Sequence, residues 1–441
     1  VEEMEPVFVG YLGIGLLVLL IAMGIHIGVA LALAGALGFF TIVGLQGAIG
    51  LLRTTPYEIS ASYELSVVPL FLLMGLFAYH SGLSARIYKA ARLWVGKLPG
   101  GLVLATIAAS GLFGAACGST VASAAIFTRV GLPEMLKYKH NKSLSAGAIA
   151  ASGTLAVLIP PSTILVFYAI LTEQSIGKLL IAGILPGILS AGLYLVMIIT
   201  RCTLNPKLTP KLSEVVDFKT KINSLKGLWA FPLLVVIVVG GIYTGLFTAT
   251  EAAAFGAFSA FFIVILTQKK ASGEVVVNAL LETARTTSMI FVIIIGAIIF
   301  SRFLAVSRVP TELAQWIETL AAPPMVILFG FLILYIFLGM FLDAFGMLAI
   351  TLPVIFPIIT TLGFDPIWYG ILMVKVVEVG LITPPLGINV YVVKGAAGNL
   401  VSIEEIFRGI VPFLIMDIIT LVILVAFPQI ALFLPSKMFG G

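Results

Sequence analysis

Leu158-Ile159-Pro160-Pro161-Ser162-Thr163-Ile164-Leu165-Val166 decides the fold, because the chain carries a second version of it. The counterpart, Leu381-Ile382-Thr383-Pro384-Pro385-Leu386-Gly387-Ile388-Asn389-Val390, follows 224 residues later when the proline pairs are aligned. Each copy lies inside an apolar run long enough to enter a bilayer. A proline in a helix interior lacks the N–H its turn needs and clashes with the carbonyl one turn back. The residue ahead of it is pushed out of the helical region. Each pair therefore splits a membrane helix into two half-helices with unwound backbone between them. In lipid, such backbone persists only where protein or a wet cavity satisfies it. Broken helices at matching places in two halves point to the binding region of a transporter.

The composition agrees with that setting. Of 441 residues, 60% are hydrophobic and 10% charged, with a mean hydropathy of +1.18. A soluble chain carries about 25% charged residues. Apolar runs recur along the whole length, so this reads as an all-α integral membrane protein rather than a soluble domain with one anchor. The 44 Gly and 22 Pro sit inside those runs, where close helix packing and helix breaks account for them. Two cysteines, Cys117 and Cys202, form neither a disulfide framework nor a CxxC metal motif. The acidic start, Val-Glu-Glu-Met-Glu-Pro, lacks the basic region of a signal peptide, so the first apolar stretch is expected to stay as a span.

Spans need about 20 apolar residues. They are expected at 8–24, 27–45, 66–80, a compact hairpin at 101–128, 144–172 with the first break, and 179–200. After a polar linker at 201–227 come 228–243, 251–268, 288–304, a second hairpin at 323–360, 367–393 with the second break, and 407–434. The domains expected are thus a first repeat, 1–200, the linker, and a second repeat, 228–441. Basic residues gather in the loops at 84–97 and 129–142, on both sides of the first hairpin. If both loops are cytoplasmic, the stretch between them enters and leaves by one face, as a re-entrant hairpin does. Carried along the chain, that parity puts 19 of the 25 Lys and Arg on the cytoplasmic side and the N-terminus outside. It also runs the two broken helices, and the two hairpins, in opposite directions. Other pairs keep nearly the same offset: Gly35-Ala36-Leu37 with Gly256-Ala257-Phe258 at 221, and Ile184-Leu185-Pro186 with Ile410-Val411-Pro412 at 226. An inverted repeat is the expectation. Ser84–Lys97 and Thr311–Thr319 read as amphipathic helices at the membrane surface.

Candidate chemistry lies at the hairpins and breaks. Gly and small residues around Gly118 and Ser119 let the chain reverse and bring backbone close to a ligand. A hairpin tip exposes carbonyls suited to a hard cation, and the helix starting there offers an N-terminus suited to a carboxylate. In the second hairpin, Asp343 is the single carboxylate between Glu318 and Asp365. Two readings are open for it: part of a cation or proton site, or a cap on the tip. Ser162, Thr163, Thr383 and Asn389 are polar groups at or beside the unwound backbone. Asn389 has four hydrogen-bonding positions to fill in an apolar span. Lys375 and Glu378, three apart on one helix, can pair, either as a neutral structural pair or in gating. Glu251 and Asp417 are expected at or near span ends, and His26 in a tight turn. There is no HExxH, no Walker loop and no aspartate-rich diphosphate motif, so no enzyme signature stands out.

Four stretches resemble the large membrane subunit of tripartite ATP-independent periplasmic (TRAP) transporters. They are Lys97-Leu98-Pro99-Gly100-Gly101 running into the Gly118-Ser119 hairpin; Ser152-Gly153-Thr154 followed by Leu158-Ile159-Pro160-Pro161-Ser162; Ser175-Ile176-Gly177-Lys178-Leu179 with Ala182-Gly183-Ile184-Leu185-Pro186-Gly187; and the run from Gly241 to Ala254. Ala249 departs from the family's usual proline. The resemblance implies an elevator-type importer in a bacterial or archaeal inner membrane, driven by a Na⁺ gradient, with no other cofactor. Its implied partners are a small membrane subunit of about four helices and a periplasmic substrate-binding protein; nucleic acid is not among them. The implied cargo is a small organic acid: a C4-dicarboxylate, sialic acid, or another sugar or keto acid.

On this chain the implied cation sites fall at Gly118 and Ser119 with Gly153, Thr154 and Pro160, and at Gly339 and Asp343 with Thr383 and Pro384. Substrate contacts are expected from Ser123, Ser162, Thr163, Gly387 and Asn389, between the two tips. The spans at 8–45 and 228–268 are expected to form a scaffold against which hairpins and broken helices move. A stand-alone Na⁺- or H⁺-coupled dicarboxylate carrier, working without a binding protein, and a multi-span membrane enzyme are the alternative readings.

Overall fold

The computed structural model describes residues 5–210, 217–267, 272–320 and 322–438. The acidic first residues, the middle of the linker, and Lys269 and Lys270 lie outside the described residues. Among the described residues the chain is helical, with no strand.

The first part of the chain forms α1 (Pro6–Ala22), α2 (Ile27–Val43), α3 (Leu45–Ser60), α4 (Val67–His80) and α5 (Leu83–Val95). The first hairpin is α6 (Gly101–Cys117) and α7 (Thr120–Lys137), and the first broken helix is α8 (Lys142–Leu158) and α9 (Thr163–Thr172). Next come α10 (Ile176–Ala182), α11 (Ile184–Leu204) and α12 (Phe218–Lys226). The second part runs through α13 (Ala230–Val235), a π-helical turn (Val236–Gly240), α14 (Gly241–Tyr243), α15 (Ala249–Thr267), α16 (Ser272–Ser307) and α17 (Val309–Thr319). The second hairpin is α18 (Pro324–Gly339) and α19 (Ala344–Thr361), followed by the broken pair α20 (Pro366–Ile382) and α21 (Ile388–Ala397), and by α22 (Ile403–Ala426) and α23 (Gln429–Met438). Among the described residues five helices are long and apolar enough to cross a membrane, and the chain is an integral membrane protein.

Both hairpins and both breaks form where the prolines and glycines place them. Across the first break the axes of α8 and α9 bend by 43°. An unwound segment exposes first-turn amides that need acceptors; α9 restarts after the first break with a side-chain cap, whereas α21 restarts after the second at Gly387 without one. Ser119 caps α7, Asn141 caps α8, Ser162 caps α9 and Asp365 caps α20, each through its side chain. A Ser402–Glu405 capping box starts α22. The two breaks differ in surroundings: Pro160, Pro161 and Ser162 are buried, whereas Pro384, Pro385 and Leu386 are exposed.

Two groups of helices pack closely. In one, α2 lies along α16, α1 lies beside α2, and α4 packs on α15 and α16. A Cβ on Gly28 would sit 2.6 Å from the Val292 carbonyl oxygen, so glycine sets that approach. In the other, α8 is held by α6, α7 and α22, and α20 by α18, α22 and α8. From Leu144 to Leu158 every residue of α8 is buried, and its Ala, Gly and Ser content makes this possible. A Cβ on Gly147 would come within 2.2 Å of the Gly409 carbonyl carbon on α22.

Some expectations need correction. The sequence places no element at 46–65, yet Leu45–Ser60 is a helix. Its alternation is amphipathic rather than uniformly apolar, so span-length hydropathy misses it, and Arg302 on α16 ties it down through Thr55 and Glu58, each at 3.0 Å. The span expected at 288–304 is the 36-residue α16, about 54 Å long and longer than the ~30 Å hydrocarbon core. The first hairpin runs to Lys137 rather than 128, its last turns being polar but still helical. Asp417 is not near a span end. It is fully buried in the interior of α22.

Candidate functional site: the cavity between the two hairpin tips

The first tip turns at Gly118, whose φ of +63° favours glycine. A Cβ there would stand 2.6 Å from the Pro161 carbonyl oxygen, so glycine also sets how closely the tip approaches its break. Thr163 Oγ1 donates to the Gly118 carbonyl at 3.3 Å. The second tip meets its own broken helix in the same way: a Cβ on Gly380 would lie 2.7 Å from the Gly339 Cα. Asp343 caps α19, its Oδ2 accepting from the amides of Phe345 at 3.0 Å and Gly346 at 3.2 Å. The cap reading of Asp343 is therefore met, and the cap leaves Oδ1 outside those two bonds.

Between the tips lies a cavity of about 500 Å³. Gly118, Ser119, Thr120 and Val121 line it from the first hairpin; Asp343, Ala344 and Phe345 line it from the second. Thr163, Ile164, Leu381 and Ile388 come from the two broken helices. The opposite wall is Gly24, Ile25, His26 and Ile27 at the α1–α2 turn, Leu72 on α4, and Thr286, Met289, Ile290 and Ile293 on α16. Five helices begin at this cavity: α2, α7, α9, α19 and α21. Each brings a positive helix end and first-turn amides. Ser119 satisfies the amide of Ala122 and Ser162 that of Leu165. The amides of Thr120, Val121, Thr163 and Ile164 stand ahead of those bonds, where a carboxylate would meet them.

Several predicted residues are placed elsewhere. Ser123 is buried inside the first hairpin, 2.9 Å from Ser110 Oγ, and does not line the cavity. Asn389 is fully buried and donates to the Ala150 carbonyl at 3.3 Å, joining the two broken helices. Ser162 serves as a cap, and Gly387 is the left-handed residue that starts α21. Gly153 packs on the first turn of α7, where a Cβ would lie 3.3 Å from the Thr120 carbonyl oxygen. Thr154 bonds back to Ala151, and Thr383 back to Val379. Pro160 faces a different, apolar recess with Ile184 and Phe231. Pro384 is exposed. Thus Gly118, Ser119, Thr163 and Asp343 line the cavity, and the others do not. The wall from His26, Leu72 and α16 escaped the sequence reading, since nothing local marks a helix as facing a site formed by distant hairpins.

A second polar feature lies behind the breaks. Lys375 Nζ is 2.7 Å from Glu378 Oε2, from Asp417 Oδ1 and from Ser190 Oγ. Tyr194 donates to Asp417 Oδ1 at 2.6 Å. The expected Lys375–Glu378 pair exists, and Asp417 completes it from across the fold.

Hairpins and broken helices converging on a membrane-embedded cavity define a transporter permease. The chain belongs to the family described as tripartite ATP-independent periplasmic transporter, DctM component, which matches residues 14–430. It is 35% identical over 404 residues to the C4-dicarboxylate TRAP transporter large permease protein DctM of Pseudomonas aeruginosa, covering 89% of this chain and 93% of that one. It is 32% identical over 380 residues to the sialic acid TRAP transporter large permease protein SiaM of Vibrio cholerae, covering 86% and 88%. Among solved structures, the YdaH transporter of Alcanivorax borkumensis superposes with a TM-score of 0.64 at 16% identity, covering 87% of this chain and 89% of that one. That likeness concerns the fold alone.

Proposed function

We propose that this chain imports a small organic acid into a bacterial cell, coupled to Na⁺, as the large subunit of a three-part transporter. The observation that carries the proposal is the convergence of five helix N-termini on one cavity. An anion is accommodated there by aligned backbone dipoles rather than by lysine or arginine. Relatives named for C4-dicarboxylate and for sialic acid transport both carry acids, which supports the class of cargo and not a particular member of it.

In this proposal Na⁺ binds where each tip meets its own break: at Gly118–Ser119 beside Gly153–Pro160, and at Gly339–Asp343 beside Thr383–Pro384. Hairpins and broken helices then move together, elevator-like, against the group containing α2, α4, α15 and α16. A small four-helix membrane subunit steadies that group, and a periplasmic binding protein delivers the acid. The N-terminus lies outside, and the role is transport rather than catalysis.

The test is thermal stability of the chain with its small subunit, titrated with NaCl, KCl or choline chloride at equal ionic strength. A ligand bound only by the folded state raises stability with its concentration. A rise selective for Na⁺, weakened by Ser119→Ala and by Thr383→Ala, is expected. Equal curves for the three salts would overturn the Na⁺ assignment.

A further inference from the structure

The apolar recess that Pro160 faces is a slot of about 560 Å³, separate from the cavity between the tips. Phe231, Val235 and Val239 line one wall, four residues apart along α13 and the π-helical turn. Ile188 and Leu195 on α11 line a second wall, and Ala108, Gly111 and Ala115 on α6 a third. All three rows keep helical spacing, so the slot runs along the helices, about 12 Å from Phe231 to Val239. It stays hollow because α6, which packs on both α11 and α13, turns small residues toward it. Among the described residues, no charged side chain lines it.

One end of the slot is the first break. Ile159 and Pro160 line it, and a Cβ on Gly187, near the start of α11, would lie 2.7 Å from Ile159 Cγ1. Unwound backbone in a membrane ordinarily needs polar surroundings. Here the Ile159 amide is bonded to the Leu155 carbonyl, and Pro160 and Pro161 have no N–H to leave free. The proline pair thus offers the slot no unpaired donor, and hydrocarbon can lie against it.

The Phe231 end leads to positive charge. Phe231 follows directly on α12, whose axis bends 43° from the helical segment that α13 begins. α12 carries Lys219, Lys221 and Lys226 and no acidic residue. Phe218, Ile222 and Leu225 make one exposed apolar face, with Lys219 and Lys226 along its edge. Lys221 Nζ lies 5.9 Å over the ring of Trp94 on α5. Trp94 and Trp229 are both exposed, as tryptophans at a bilayer–water boundary are.

We infer that the slot binds an acyl chain of an anionic phospholipid, whose phosphate is held by the lysines of α12. The charge fits: basic residues beside an apolar helix face attract anionic headgroups, and the apolar walls suit the chain. A helix of another protein, about 10–12 Å across with its side chains, does not fit between helices already packed on one another. The bound chain reaches the first break from the face away from the cavity. The site holds whichever acid or ion the cavity takes.

The test uses the chain with its small subunit, stripped of lipid in detergent and titrated with dioleoylphosphatidylglycerol or dioleoylphosphatidylcholine. Melting temperature and the lipid retained in native mass spectrometry are read together. Phosphatidylglycerol should stabilise at lower concentration than phosphatidylcholine and be the lipid retained. Lys219→Gln combined with Lys226→Gln should weaken phosphatidylglycerol roughly 10–30-fold and leave phosphatidylcholine unchanged. Both lysines are exposed, so this variant reads the headgroup without disturbing the fold. Gly192→Leu reads the slot: Gly192 lines it, and a Cβ there meets nothing within 4 Å, so leucine occupies the space without strain. That variant should lose the retained phosphatidylglycerol. Equal responses of the wild type to the two lipids, or a Gly192→Leu variant that retains phosphatidylglycerol as the wild type does, would overturn the proposal. So would lipid retained by the chain alone and lost when the small subunit is present, since the slot would then belong to that partner.

Discussion

Thr163 Oγ1 donates to the carbonyl oxygen of Gly118, so the tip of the first hairpin is bonded to the half-helix that restarts after the first break. Cavity and helix break are thus one local structure, and changes at either residue should register at both.

Gly118→Ala tests that junction. The substituent would meet the Pro161 carbonyl oxygen at 2.6 Å with the backbone at a φ of +63°. A loss of roughly 1–3 kcal/mol in stability is expected from such strain, read as a lower melting temperature, together with slower uptake. Ser119→Ala, which removes the cap on Ala122, should cost about 1 kcal/mol in the absence of Na⁺.

Close approach of the second tip to its broken helix predicts a contrast between two glycines. Gly380→Ala should destabilise, since its Cβ would lie 2.7 Å from the Gly339 Cα. Gly330→Ala, in α18 with nothing within 4 Å, should be neutral or stabilising by up to about 1 kcal/mol. Thermal melts of the two variants side by side decide it.

Asp343→Asn separates the two roles of that side chain. Asparagine keeps an oxygen for the amides of Phe345 and Gly346, and caps nearly as well as aspartate. If the charge serves Na⁺, basal stability should hold while the Na⁺-dependent rise shrinks. An unchanged rise would leave Asp343 as a cap only.

His140 gives a pH dependence away from the membrane spans. It sits in the turn between α7 and α8, 4% exposed, with neither ring nitrogen bonded. Burial lowers its pKa from 6.5 to about 4. The unfolded chain therefore takes up a proton below about 6.5 that the folded chain refuses until about 4, so stability falls as pH drops through that window. His140→Phe should flatten that part of the stability–pH curve relative to the wild type.

The breaks and hairpins were legible because proline and glycine act through the local backbone, and the two Pro pairs stand in the two broken helices. Gly118, Ser119, Thr163 and Asp343 line the cavity because they stand at the tips and at the first break. Asp417 was missed because its partner, Lys375, lies 42 residues away, and only tertiary packing brings them together. Ser123 and Asn389 are expected at substrate, and inside the protein Ser123 meets Ser110 while the Asn389 amide nitrogen donates to Ala150. Polarity marks that a group must be satisfied, not what satisfies it. The His26 and α16 wall carried no signal of either kind.

The contact between Gly147 and Gly409, with the Lys375 bonds to Ser190 and Asp417, joins α8 and α11 from before the linker to α20 and α22 from after it. Covalent order and packing are therefore different partitions of this chain. Any rigid body that carries the first hairpin must also carry elements made more than 200 residues later. Synthesis reaches α8 long before α22 exists, so the close approach of Gly147 to Gly409 forms only once the end of the chain is made.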